Sequence, residues 1–113
     1  MSGWTPNNVP IGVVIPGTSY QLGGRDFGQC LVFTSGSAIA VTLPAPGSAG
    51  DLYGNWHTTI FAQGAGTVTI TPGAPLTGPT PTINGASSVT VTTGNARMII
   101  LGSNGNWYAP PGV

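Results

Sequence analysis

The sequence predicts an all-β fold: a single antiparallel β-sandwich or a jelly-roll-like barrel, preceded by an extended N-terminal arm. Three observations support this class. Apolar and small polar residues alternate with period two in several short runs, as in strands with one buried face. Turn residues separate those runs at short intervals, with 19 Gly and 11 Pro among 113 residues. Residues of high helix propensity are scarce throughout.

The N-terminal 17 residues differ in composition from the rest. Pro6, Pro10 and Pro16 interrupt them, and proline both fixes φ and disfavours helical geometry in the residue before it. Residues 1–17 are therefore expected to form an extended arm outside the barrel, and residues 18–113 the β-sandwich domain. Residues 11–15 are also a candidate strand.

The strands are predicted from two kinds of run. Residues 38–43, 67–71 and 88–92 alternate, with Ile, Leu or Val on one face and Thr, Ser or Ala on the other. Residues 30–33 and 98–101 are apolar on both faces, which indicates central strands or strands covered on the second side by something else. Residues 56–62 are a further candidate, so roughly eight to ten short strands are expected.

Two Asn-Gly pairs mark tight turns, because both residues tolerate positive φ. Asn84-Gly85 is the first, and Asn104-Gly105 predicts a C-terminal hairpin ending in Trp107-Tyr108. The proline-rich loop at residues 72–81 is predicted to hold at most a short edge strand.

Charge excludes several functions. Only Arg25, Arg97, Asp26 and Asp51 are charged, and the formal net charge is zero. Two arginines cannot neutralise a nucleic-acid backbone or form a polybasic membrane patch, so neither nucleic acid nor a membrane is an expected partner.

The apolar runs are too short to span a bilayer, and the N-terminus predicts no signal peptide. An uncharged surface suits a protein packed against copies of itself or a larger shell.

Reactive residues are few, and we expect neither an enzyme nor a cofactor or metal. Cys30 and His57 are a conceivable nucleophile pair, but a cysteine in an apolar run is typically a small buried hydrophobe. Asp26 and Asp51 are a conceivable carboxylate pair, but carboxylates in turn-rich segments more often cap backbone N–H groups. No cluster has metal-ligand spacing.

The aromatic residues leave two alternatives open. They could line a sugar-binding face, or they could serve core packing and subunit contacts, which we favour. The residues concerned are Trp4, Tyr20, Tyr53, Trp56, Trp107 and Tyr108.

Several motifs together resemble a known family. Gly23–Phe33 leads into Thr42-Leu43-Pro44-Ala45, residues 64–72 read GAGTVTITP, and residues 103–108 read SNGNWY. This pattern, over about residues 20–109, is similar to small β domains of bacteriophage virions, which occur in tail and head fibres and in capsid decoration (cement) proteins.

The resemblance implies a homo-oligomer, often a trimer, that is structural or receptor-binding. The chain's short length favours a decoration protein on the capsid surface, bound to the major capsid protein and to copies of itself. Arm residues Trp4, Val9, Ile11 and Val13, with Pro75 and Pro79 of the proline-rich loop, are the predicted contacts. The alternative is a fibre head that recognises a host surface glycan.

Overall fold

Nine short strands form two sheets in the computed structural model, which describes residues 12–45, 56–75, 78–102 and 104–110. A 3-10 turn, Gly24–Asp26, precedes the third strand. The strands are β1 Gly12–Ile15, β2 Ser19–Gln21, β3 Cys30–Phe33, β4 Ile39–Thr42, β5 His57–Ala62, β6 Val68–Thr71, β7 Val89–Val91, β8 Ala96–Leu101 and β9 Trp107–Tyr108. The predicted all-β class is confirmed.

The first six strands alternate between the two sheets. The five-stranded sheet has the order β1-β3-β5-β8-β9, and the four-stranded sheet has the order β2-β4-β6-β7. Between two neighbouring strands of one sheet, the chain forms a strand of the other sheet, and it then re-enters the first sheet in the same direction as before. The strands β1, β3 and β5 therefore pair in parallel, as do β2, β4 and β6. The last three strands pair antiparallel: β7 with β6, β8 with β5 and β9 with β8.

The prediction of an antiparallel sandwich is therefore wrong in strand direction, because both sheets are mixed. Period-two alternation records which face of a strand is buried, and it carries no information about direction. Parallel strands need a crossover connection, and here a strand of the opposite sheet supplies it. The described strands form two open sheets, which is consistent with a sandwich and not with a closed jelly-roll-like barrel.

The boundary of the predicted arm also needs correction. Gly12–Ile15 belongs to the five-stranded sheet as β1, with Gly12 opposite Cys30 and Ile15 opposite Phe33. The arm therefore does not extend to residue 17. Pro16 follows directly after the strand, where the missing N–H disrupts no ladder. Residues 1–11 lie outside the described part of the chain.

The core lies between the sheets and takes one residue in two from each strand. Phe33, Ile60 and Ile99 from one sheet and Val41 and Ile70 from the other have no solvent exposure. Trp56 and Trp107 are also fully buried and pack edge to face with ring centroids 5.5 Å apart. For these two residues the core-packing interpretation is confirmed.

Two predicted turns are confirmed by their backbone angles. Asn84 and Gly85 have φ of 53° and 80°, and Ile83 and Ala86 on either side exchange two backbone hydrogen bonds of 2.8 Å. Gly105, with φ of 89°, lies in the loop of the antiparallel hairpin that joins β8 to β9.

The Asn84 side chain holds the end of the described chain. Its Oδ1 accepts the Ala109 N–H at 2.9 Å, and its Nδ2 donates to the Ala109 carbonyl at 3.0 Å. Arg97 Nη1 donates to the same carbonyl at 2.7 Å. These bonds fix the segment after β9 against the sandwich.

Candidate interaction surface

The outer side of the five-stranded sheet is apolar across its whole width. Each strand turns alternate residues away from the core, and most of these outward residues are apolar; His57 and Thr59 of β5 are the polar members. We call this surface the apolar face; it comprises Val14, Cys30, Val32, His57, Thr59, Phe61, Ala96, Met98, Ile100 and Tyr108.

Strand register arranges the apolar face in rows. The row Val14, Val32, Phe61 and Ala96 crosses four strands as directly opposed neighbours. Val14 is 63% exposed, and the other three side chains are half-buried. Sheets that face water on one side usually alternate apolar with polar residues. A row of aliphatic and aromatic side chains on the outward side is therefore a candidate contact with another protein.

The outer side of the four-stranded sheet has a different chemistry at equivalent positions. We call it the threonine face; it comprises Ser19, Gln21, Ala40, Thr42, Thr69, Thr71 and Thr90. Hydroxyl groups can remain hydrogen-bonded to water, so this face is compatible with solvent. Both faces lack charged side chains among the described residues, but only one of them is apolar.

The two edges of the five-stranded sheet also differ. The β9 edge is covered, because Trp107 N–H donates to the Thr82 carbonyl and Asn84 N–H donates to the Trp107 carbonyl. At β1 the Ile15 carbonyl accepts from Thr34, which directs the backbone groups of Val14 away from β3. The Val14 side chain thus lies where the apolar face meets the β1 edge.

The predicted partner contacts that the structure describes lie in different parts of the molecule and not on the apolar face. Val13 is 36% exposed and lies opposite Leu31, at the rim of the core rather than on the apolar face. Pro79 is exposed and Pro75 half-buried, in the parts of the proline-rich loop that the structure describes. Trp4, Val9 and Ile11 lie outside the described residues.

The central residues of the apolar face were not among the predicted contacts. Val32, Phe61, Met98 and Ile100 belong to strands β3, β5 and β8. A signal for them was available, because residues 30–33 and 98–101 are apolar on both faces. The predicted partner contacts lie instead on the arm and the proline-rich loop.

Asp26 has the capping role that the sequence predicts. It is 4% exposed; its Oδ2 accepts the Gly23 N–H at 2.9 Å, and its Oδ1 accepts the Tyr20 hydroxyl at 2.9 Å. Burial, together with this hydrogen bond to Asp26, raises the pKa of Tyr20 above its ordinary value. Asp51, the other member of the conceivable carboxylate pair, lies outside the described residues.

Cys30 and His57 are both on the apolar face. Cys30 is half-buried and opposes Thr59, so His57 lies two residues further along the neighbouring strand, in a diagonal position. The His57 ring packs against Phe27 with centroids 5.1 Å apart. Among the described residues, no group of three His, Cys, Asp or Glu side chains is placed to hold a metal ion.

A shallow groove lies on the threonine face, at its β2 edge, and has a volume of about 360 Å³. Its lining includes Tyr20, Gln21, Arg25 and Thr42. The Arg25 guanidinium lies 5.9 Å from the centre of the Tyr20 ring. Of the predicted sugar-binding aromatic residues that the structure describes, only Tyr20 contributes to this groove, with Arg25 beside its ring.

Comparison with protein-family models, with curated proteins and with solved structures finds no match to this chain. Among the described residues, no helix has the length and apolarity needed to cross a membrane.

Proposed function

We propose that this chain is a structural protein of a bacteriophage virion, a capsid decoration protein that binds the outside of the shell and bridges capsid subunits. It would act through contacts with the major capsid protein and with copies of itself. The observation that carries the proposal is a sandwich with no ionic side chain on either broad face of its described residues and apolar side chains across one of them.

The charge distribution supports a role as a bound subunit. About a quarter of the residues of a typical soluble domain are charged, against 4% here. Of the charged residues that the structure describes, only Arg25 is exposed, since Asp26 is buried and Arg97 half-buried. Such a surface can be covered by another protein without removing ions from water, a step that costs several kcal/mol per ion.

The predicted arm and loop contacts suit the bridging part of the role. Trp4, Val9 and Ile11 precede β1, the first strand of the five-stranded sheet. With Val13, Pro75 and Pro79 they are the proposed contacts to the capsid protein. Many symmetric copies on one shell would add avidity to weak single contacts.

The test is the position of the protein in purified phage particles. Gold-labelled antibody against the chain should mark the shell, and removal of the protein should make particles rupture at a lower temperature. Deleting residues 1–10 should reduce capsid occupancy at equal protein concentration. Label confined to the tail, or particles that carry none of the protein, would refute the proposal.

A second candidate function, recognition of a host surface glycan by a fibre head, is favoured by the groove on the threonine face. Arg25 offers hydrogen-bond donors there, next to the Tyr20 ring. A glycan array probed with the purified chain tests this alternative. Binding to a defined sugar that Arg25→Ala abolishes would favour the fibre role, and no binding would favour the structural one.

A further inference from the structure

We infer that the apolar face is the surface through which one copy of this chain binds a second copy. The inference names the partner of one surface of the proposed virion protein and in that respect rests on the proposed function. The contact itself is a property of the purified chain, so it can be tested without particles.

The side chains of the apolar face have the composition of a homo-oligomer contact. Such interfaces are richer in aromatic residues and Met than the rest of a protein surface, and poorer in Lys, Glu and Asp. Phe61 and Met98 lie on adjacent strands near the middle of the face, and Val32 lies directly opposite Phe61. A second copy that covers these side chains removes apolar area from water and buries no unpaired charge.

Self-complementarity identifies the partner as a second copy. In a two-fold contact the same patch meets itself, so any charge near the axis would meet a like charge. With His57 neutral, the described residues of the apolar face carry neither sign, and two copies can therefore approach without repulsion. A partner with Lys or Glu at the contact would bury those charges against Val32 and Phe61 with no counter-ion, which is unfavourable.

The size of the face predicts a weak contact. Five strands spaced about 4.8 Å apart span roughly 20 Å, and five residues along a strand span roughly 17 Å. The face therefore covers on the order of 350 Å², and two faces together on the order of 700 Å², less than the roughly 1,600 Å² of a standard stable interface. We expect association that depends on concentration, with a midpoint in the micromolar range or weaker.

Sedimentation velocity of the purified full chain over a wide concentration range tests the inference. The average mass of the unmodified protein should rise with concentration. Val32→Arg places a charge between Val14 and Phe61 and should weaken association at least tenfold. Thr69→Arg is the matched control: Thr69 is also half-buried, points outward and lies on a central strand, but on the threonine face. It should associate like the unmodified protein.

Three further measurements keep the test decisive if Val32→Arg does not fold. Phe61→Thr keeps a residue of high strand propensity and should also weaken association. Cys30 reports on the same face, so a thiol reagent should label it more slowly as protein concentration rises. Raising the salt concentration should leave association unchanged or strengthen it, because no ion pair contributes.

A mass that stays monomeric at every concentration would overturn the inference, and so would equal effects of Val32→Arg and Thr69→Arg. Failure of the proposed virion role has a different signature. In that case the purified chain would still associate through the apolar face, but antibody would not find it on the shell.

Discussion

Replacing Gly66 with alanine would place a methyl group where the backbone of a neighbouring loop already lies. Gly66 is buried in the loop between β5 and β6, and its N–H donates to the Ser35 carbonyl at 3.0 Å. A Cβ at this position would lie 2.6 Å from the carbonyl carbon of Ser37 and closer still to its oxygen. Ordinary contacts of this kind begin near 3.4 Å, so one of the two loops must move.

The cost follows from that movement. Separating the loops breaks the hydrogen bond from Gly66 to Ser35, worth about 1 kcal/mol. Overpacking against atoms that cannot turn aside adds about 1–3 kcal/mol. The free energy of unfolding should therefore fall by about 2–4 kcal/mol, out of a typical total of about 5–15 kcal/mol. For a chain of this length that corresponds to a melting temperature lower by roughly 10–20 °C.

Urea denaturation followed by tryptophan fluorescence measures the change, because Trp56 and Trp107 are buried in the core. Gly36→Ala is the matched control. Gly36 is exposed, its φ is not in the left-handed region, and a Cβ there would meet nothing within 4 Å. We expect Gly36→Ala to change stability by less than about 0.5 kcal/mol. If Gly66→Ala proved equally mild, the close packing of these loops would be refuted.

Three more predictions concern hydrogen bonds at the ends of the sandwich. Asp26→Ala removes the acceptor for the Gly23 N–H and the Tyr20 hydroxyl and should cost about 2–4 kcal/mol in urea denaturation; a loss below 0.5 kcal/mol would contradict this. The pKa of Tyr20 is raised on folding. The stability that the neutral Tyr20 hydroxyl contributes is therefore complete below the ordinary pKa of 10.0 and is lost as the pH rises above that value. Tyr20→Phe should therefore lose less thermal stability than the unmodified protein between pH 8 and pH 11, and parallel losses would argue against it. Asn84→Ala removes both bonds to Ala109 and places alanine at a φ of 53°, so we expect a loss of about 2–3 kcal/mol; Asn84→Gly, which relieves only the backbone strain, should be milder, and equal losses would contradict the strain argument.

Strand positions and turns could be predicted from the sequence, because they depend on local chemistry. The alternation of Val68 and Ile70 with threonines identifies a strand with one buried face, and Asn84-Gly85 identifies a turn with positive φ. The structure has both. Each of these signals comes from a few consecutive residues, which is why a single sequence is sufficient to read them.

Strand direction could not be predicted, because it depends on which sheet the chain enters next. The step from β3 to β4 leaves one sheet for the other, whereas the step from β8 to β9 stays within one sheet. The two loops have the same length. Asn104-Gly105 in the second loop marks a hairpin, but nothing comparable in residues 34–38 marks the passage to the other sheet. The place of β1 in a sheet could not be predicted for a related reason: Pro16 follows it, and β3, its partner among the described strands, lies 18 residues away along the chain.

The two outer faces carry information about surroundings that the core does not. Val32 and Thr69 have equivalent places: each lies on a central strand, points outward and is half-buried. Both are β-branched and suit a strand equally well, so strand formation does not explain the choice between them. What differs is hydration, because a threonine hydroxyl stays bonded to water and a valine methyl does not. A sheet that met water on both sides would have no reason to put Val, Phe and Met on one outer face and Thr on the other. The distribution is explained if one face meets protein and the other meets solvent.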